Sequence, residues 1–219
     1  VIQSTASAVR IRPAEMTDAA ALASLAAETF PLACPPHTTA EAIADFIDRN
    51  FTVGHFERYL ADAGRILLVA EAPTTKLAEE PPLLGYTMLI AGEPADADAA
   101  RAVTARPAIE FSKVYVLAES HGTGAGSALM HASLDAARAA GAATAWLGVN
   151  EQNARAIAFY ERHGFAKVGR KHFTVGGRVE DDWVLEHPLA EHPLAEHPLA
   201  EHSTAARPLA EHPLAEHSK

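Results

Sequence analysis

The chain of 219 residues has a single cysteine, Cys34, and a lone thiol builds neither an internal disulfide nor a cysteine zinc cluster. That suits a reducing compartment, and a cytoplasmic location is expected. No run of apolar residues approaches the ~18 needed to cross a bilayer, and Val1–Ala8 lacks a basic segment followed by an apolar one. Neither a membrane span nor a secretion signal is expected. Basic residues are scarce too: 18 Lys and Arg stand against 28 Asp and Glu, a net charge of −10. Such a balance excludes a surface built on phosphate contacts to nucleic acid and suits a cationic small molecule. What is present is ordinary for a soluble globular protein, with 48% hydrophobic and 21% charged residues, which rules out a chain disordered throughout. The length allows one domain of ~100–200 residues with a remainder.

The remainder is at the C-terminus. From Glu186 the unit Glu-His-Pro-Leu-Ala runs through 186–190, 191–195 and 196–200, degenerates, and returns at 211–215. Proline at every fifth position removes amide donors and clashes with a preceding helical turn, so an extended or turn-like tail is expected rather than a helix. The boundary is placed at 186, with a domain over 1–186 and a low-complexity tail over 187–219. Six of the 12 histidines belong to the repeats. At five-residue spacing on such a chain they preset no ligand geometry, and no metal site is expected.

Within the domain, Val9–Pro13 alternates like a strand, and Thr17 or Asp18 can cap an Ala/Leu-rich helix ending at Phe30. A proline-containing loop over 31–39 precedes helices from Thr39 to Arg49 and from His55 to Ala63. Arg65–Ala70 and Leu83–Ile90 read as an antiparallel pair, and 92–106 as a polar loop. Then strand (Ile109–Ala118), helix (Gly124–Ala140), strand (Ala143–Val149) and helix (Asn153–His163) alternate. Phe165–Phe173 and Val179–Leu185 close the series around Gly176-Gly177. This order implies an α/β sheet covered on both faces.

The passage from strand to helix at Val114–Ser127 is rich in small residues: His121-Gly122-Thr123-Gly124-Ala125-Gly126-Ser127. Amides at a helix N-terminus lack partners, and glycines remove the β-carbons that would hold a phosphate away. Ala125, Leu129, Ala132, Ala136 and Ala139 give the helix a slim face for packing on the sheet. A P-loop would need lysine at the end of this turn, and none is there. A dinucleotide fingerprint would need glycine where Ser127 or Leu129 stands. What remains is Gln/Arg-x-x-Gly-x-Gly/Ala with His121 in its first place, or a plain tight turn.

Further on the chain reads Trp146-Leu147-Gly148-Val149-Asn150-Glu151-Gln152-Asn153-Ala154-Arg155-Ala156-Ile157-Ala158-Phe159-Tyr160-Glu161-Arg162-His163-Gly164-Phe165. With the glycine turn ahead of it, the strand, the Asn-x-x-Ala helix and the Phe-Tyr-x-x-x-Gly-Phe turn resemble the GCN5-related N-acetyltransferase (GNAT) superfamily. The likeness extends from Val9 to Leu185. The Trp-Leu-Gly-Val run, Glu28-Thr29-Phe30 and Gly85-Tyr86 look most like its bacterial spermidine/spermine N-acetyltransferase branch.

The resemblance implies a mixed, mostly antiparallel sheet of about seven strands, splayed between the fourth and fifth, with acetyl-CoA as cosubstrate in the opening. Its pantetheine arm would pair with the backbone of Val114, Tyr115 and Val116, since parted strands leave N–H and C=O groups unmet. Its phosphates would meet Gly122, Thr123, Gly124, Ala125, Gly126 and Ser127, and His121 replaces the family's usual Gln or Arg. Asn153 would contact the cofactor, cap its helix, or do both. Tyr160 would be the general acid that protonates the leaving thiolate.

The acceptor amine must lose a proton, because an alkylammonium of pKa ~10.4 has no lone pair at neutral pH. Some members carry a glutamate where this chain has Gly148. Others carry one near the start of the strand before the glycine turn, which points to Glu110 as the base, with Tyr115, His37 and His172 behind it and Glu119 a solvated loop residue. Cys34 lies outside the matched motifs, and direct attack in a ternary complex needs no acyl-enzyme. The implied activity is acetyl transfer to a primary amine, polyamines first and protein N-termini or lysines behind them. The alternative is a non-catalytic acyl-CoA-binding regulator. A small amine or peptide amine is the expected partner, and a homodimer is an allowed assembly.

Overall fold

The computed structural model describes residues 9–73 and 81–189. β1 (Arg10–Pro13) leads through a 3-10 turn at Met16–Asp18 into α1 (Ala19–Thr29), and a second 3-10 turn follows at Phe30–Ala33. α2 (Ala40–Asn50) and α3 (Val53–Ala61) each begin at a threonine whose hydroxyl accepts a backbone N–H, from Ala42 to Thr39 and from His55 to Thr52. β2 (Arg65–Glu71) and β3 (Leu83–Ala91) pair antiparallel as expected, while most of the turn joining them lies outside the described residues.

The stretch expected as loop over 92–106 contains a helix, α4 (Ala97–Ala102). Its N-cap is Asp96, whose carboxylate accepts from the amides of Asp98 and Ala99, and its buried Ala99 packs with Val103, Trp146 and Val184. β4 (Ala108–Val116), α5 (Ala125–Ala139), β5 (Thr144–Asn150), α6 (Ala154–Arg162), β6 (Ala166–Val175) and β7 (Arg178–Pro188) complete the order.

The seven strands form one sheet in the order β1-β2-β3-β4-β5-β7-β6, antiparallel throughout except for the pair β4–β5. Helices cover both faces. One core joins α5 and α6 to Phe111, Leu147 and Leu185, and a second joins α1, α2 and α3 to Val69, Tyr86 and Met88. A buried hydroxyl pair, Thr87 to Ser133 at 2.8 Å, fixes α5 against β3 and with it the turn that precedes α5.

β4 and β5 pair only at Ala108–Glu110 with Thr144–Trp146. Beyond that point they part, at the place the sequence resemblance implies. Ser112 is an extra residue in the β3–β4 ladder, where Lys113 faces Met88 and Phe111 faces Leu89. Such a bulge bends its strand and increases its twist. Because of it, Phe111 and Val114 both reach the core under α5 and α6, while Tyr115 reaches the core under α1–α3.

β7 ends three residues later than the expected Leu185. It carries the first Glu-His-Pro-Leu-Ala unit along β5 to Pro188, where Thr144 is the partner. Leu189 N–H donates to Ala143 O, and Leu189 is 5% exposed. Alternation along a strand turns the nitrogen of Pro188 to the opposite edge, where β6 has already ended, its last pair being Ala166 with Glu186. Proline's missing N–H therefore costs the ladder nothing.

Candidate active site

The parting of β4 and β5 opens a cleft of about 680 Å³, lined by Val114, Tyr115 and Val116 on one wall and Gly148, Val149 and Asn150 on the other. Leu117 N–H donates to Leu84 O on β3. By alternation the backbone of Tyr115 also faces β3, and the backbones of Val114 and Val116 face the opening. Of the three residues expected to pair with an extended ligand, Val114 presents its edge groups, Val116 presents its N–H while its carbonyl accepts from His121, and Tyr115 presents its side chain.

At the end of β4 the chain turns through Gly122 and Gly124, at φ of +81° and +96°, into α5. A β-carbon at either glycine would meet nothing within 4 Å, so the demand for glycine comes from the left-handed backbone and not from crowding. Among the described residues the amides of Gly122, Gly124, Gly126 and Ser127 have no protein acceptor, and Ala125 N–H has only a long contact of 3.4 Å to the Thr123 hydroxyl. These donors converge at the positive end of a 15-residue helix.

His121 is exposed, but both its ring nitrogens are bonded to protein groups. Arg155 donates to its Nδ1 at 2.8 Å, so its Nε2–H donates to Val116 O at 3.1 Å. The ring thus ties the turn to the strand, and the guanidinium of Arg155, on α6, stands at the mouth of the cradle. The sequence reading missed Arg155. Its signal was its place two residues after Asn153, on the first turn of α6. Asn153 caps that helix, its side-chain oxygen accepting from Ala156 N–H at 3.1 Å, and it also lines the cleft.

Tyr160, 8% exposed, lines the cleft from α6. Its place is set by the way the helix ends. Gly164, at φ +84°, lets its own N–H donate to Glu161 O, and Phe165 N–H donates to Tyr160 O, both at 3.1 Å. This pair of hydrogen bonds closes the helix and packs Phe165 on the Tyr160 ring, with the centroids 5.9 Å apart. The Tyr-x-x-x-Gly-Phe spacing is therefore a helix-ending device that aims a phenol. Burial pushes that phenol well above its ordinary pKa, so it holds its proton at neutral pH.

Glu110 lies at the root of the cleft, on the last residue where β4 and β5 still pair. Burial raises its carboxyl, while the charges of Lys171, Lys113 and Arg65 and a hydrogen bond from Ser112 oppose the rise. Gly148 has its place taken: a β-carbon there would lie 2.4 Å from Lys171 Cε. Lys171 reaches across to Asp182 at 3.9 Å, and burial lifts the Asp182 carboxyl to about 6. Lys113 also lines the cleft, lowered to about 8 by burial, and neither Lys113 nor the Lys171–Asp182 pair was foreseen.

The other base candidates are less well placed. His37 is bound to Glu180 at 2.7 Å and His172 to Asp181 at 3.1 Å, and neither lines the cleft; Glu119 is exposed on a 3-10 turn outside it. Tyr115 does line it, with its phenol raised by burial. Cys34 is at its edge, its thiol donating to Phe30 O at 3.4 Å and pushed up to about 11 by burial, which leaves it an unreactive thiol. Among the described residues no three His, Cys, Asp or Glu side chains are grouped to hold a metal ion, and no helix is long and apolar enough to cross a membrane.

Comparison with known proteins gives a concordant picture. Residues 22–165 match the model of the acetyltransferase (GNAT) family. An uncharacterised N-acetyltransferase of Mycobacterium tuberculosis is 42% identical over 174 residues, covering 80% of this chain and 99% of that protein. Among solved structures, the PaiA N-acetyltransferase of Thermoplasma acidophilum in complex with coenzyme A aligns at a TM-score of 0.62 and 18% identity, over 83% of this chain and 99% of the other. NAA60 of Arabidopsis thaliana in complex with acetyl-CoA aligns at 0.64 and 14%, over 83% and 98%.

Proposed function

The chain belongs to the acetyltransferase (GNAT) family, and from that membership we propose that it moves the acetyl group of acetyl-CoA to a primary amine by direct attack within the β4–β5 cleft. The observation that carries this reading is the row of unshared amides at Gly122, Gly124, Gly126 and Ser127, opening from a strand edge whose Val114 and Val116 also lack a neighbour. That donor set fits a diphosphate followed by an amide-bearing arm. Arg155 adds a cation at the phosphate end, and Asn153 and Phe159 line the same wall.

The bound thioester supplies an activated acyl carbon. The chain's own groups handle the protons. Glu110, in its carboxylate form, takes a proton from the incoming ammonium so that its nitrogen has a lone pair for the new C–N bond. As the C–S bond breaks, Tyr160 gives its proton to the departing sulfur, and the second proton, lost from the acylated nitrogen as it becomes an amide, restores the phenol. Placed proton transfer of this kind contributes about 10²–10⁴-fold. Cys34, protonated and turned to Phe30 O, takes no acetyl group.

The acceptor is a primary amine. A polyamine is supported by the carboxylates of Glu110, Glu180 and Asp182 around the cleft, and weakened by Lys113 and Lys171 standing among them. A free-thiol release assay with acetyl-CoA and a panel of spermidine, amino acids and short peptides tests the reading. We expect saturable thiol release with at least one amine, and in Tyr160→Phe a drop in kcat of about 10²-fold with the acetyl-CoA dissociation constant within about threefold of wild type. Tight acetyl-CoA binding without thiol release from any amine would instead support a binding regulator.

A further inference from the structure

Five charged side chains face the part of the cleft bounded by α2, α3 and the β6–β7 hairpin: Glu110, Lys113, Lys171, Glu180 and Asp182. Three of them are met within the protein. Asp182 has Lys171 at 3.9 Å, and Glu180 has His37 at 2.7 Å and Arg178 at 3.2 Å. Glu110 and Lys113 are left, and among the described residues neither belongs to an ion pair. Each feels the other's charge without a contact between them.

Lys113 leaves β4 next to the bulge, and its ammonium lies over the rings of Phe51 at 5.5 Å and Tyr59 at 5.4 Å. Aromatic faces offset part of the cost of drawing a cation out of water, and a counter-ion is what meets the rest. The cleft therefore presents one unmet anion and one unmet cation on the same strand. A polyamine would place a second ammonium beside Lys113. A molecule with one ammonium and one carboxylate satisfies both ends.

Resting on the acetyl-transfer reading above, we propose that the acceptor is an amine that also carries a carboxylate, an amino-acid-like zwitterion whose ammonium faces Glu110 and whose carboxylate faces Lys113. Lys113 is then a specificity-determining residue. Its position three residues from Glu110 is part of the recognition, because the bulge at Ser112 brings both side chains to the same side of the strand.

Thiol release is measured on the full chain with matched pairs, each an amino acid and the amine left by its decarboxylation (phenylalanine with phenethylamine, lysine with cadaverine), together with spermidine and a tripeptide. For wild type we expect kcat/KM at least about tenfold higher for the carboxylate-bearing member of a pair. In Lys113→Met, which keeps the length and apolar contacts of the side chain, that ratio falls towards one through a rise in KM for the amino acid. Lys113→Arg restores a good part of it. Should Lys113→Met fail to fold, the wild-type ratios and Lys113→Arg decide alone. A wild-type preference for the decarboxylated amines, spermidine or the tripeptide, or a ratio unaltered in Lys113→Met, overturns the assignment while leaving acetyl transfer standing. Absence of release with every amine overturns acetyl transfer itself.

Discussion

Burial acts on Tyr160, Tyr115 and Cys34 in one direction, towards the protonated form, and on Glu110 likewise, yet the consequences differ. A phenol that keeps its proton is a donor in waiting, and a thiol that keeps its proton is spent as a nucleophile. A carboxyl raised by burial, with Lys171, Lys113 and Arg65 opposing the rise, binds a proton more readily than an exposed glutamate does. As the proposed base, Glu110 must be ionised, so turnover should fall as pH drops through its carboxyl, on a limb centred above the ordinary glutamate value of 4.5. In a kcat/KM profile Glu110→Gln should remove that limb and lower the plateau by about 10²-fold. A limb unchanged in the variant would assign the base elsewhere. At this scale the sequence was informative for groups held in local motifs, such as Tyr160 and Asn153. Lys113 and Lys171 escaped because their meaning comes from neighbours far along the chain, Phe51 and Asp182.

Among elements, the two that make the site are both governed by left-handed glycines. Gly124 starts α5 with its amide row exposed, and Gly164 ends α6 with Tyr160 aimed. Gly124→Ala places a β-carbon in open space but on a backbone at φ +96°, a strain of about 1–2 kcal/mol. The variant should melt lower and, where the turn relaxes to relieve the strain, bind acetyl-CoA about tenfold more weakly in calorimetry. Equal stability and affinity would show that the turn does not need its glycine. The glycine turn was legible because such motifs are contiguous. Helix α4 was not: Ala97–Ala102 is under two turns of Ala, Asp and Arg, and its packing on Trp146 and Val184 is what holds it. The bulge at Ser112 was equally hidden, being a matter of register against β3.

The whole molecule is two half-sheets, β1–β4 and β5–β7–β6, held together by three residue pairs at the root of the cleft. Everything the site does follows from that short junction, which leaves strand edges free above it. The resemblance implied the splay at this position. The repeat, by contrast, was read as a tail from 187 onward because the five-residue unit recurs, whereas the fold takes in 186–189. Glu186 accepts from Thr144 Oγ1 at 3.1 Å, and Leu189 is buried beside Phe165 and Leu185 in the core under α5 and α6. Leu189→Ala should therefore cost about 2–4 kcal/mol in denaturant unfolding. A change below about 0.5 kcal/mol would put Leu189 outside the core.

The account stands on backbone donors left free by the parting of two strands. Residue-resolved hydrogen exchange with and without acetyl-CoA reads those donors directly. Saturating ligand should slow exchange at Val114 and Val116 and at Gly122, Gly124, Gly126 and Ser127, with little change at the amides of β1 and β2. Unaltered exchange at all six positions in a folded protein would contradict it.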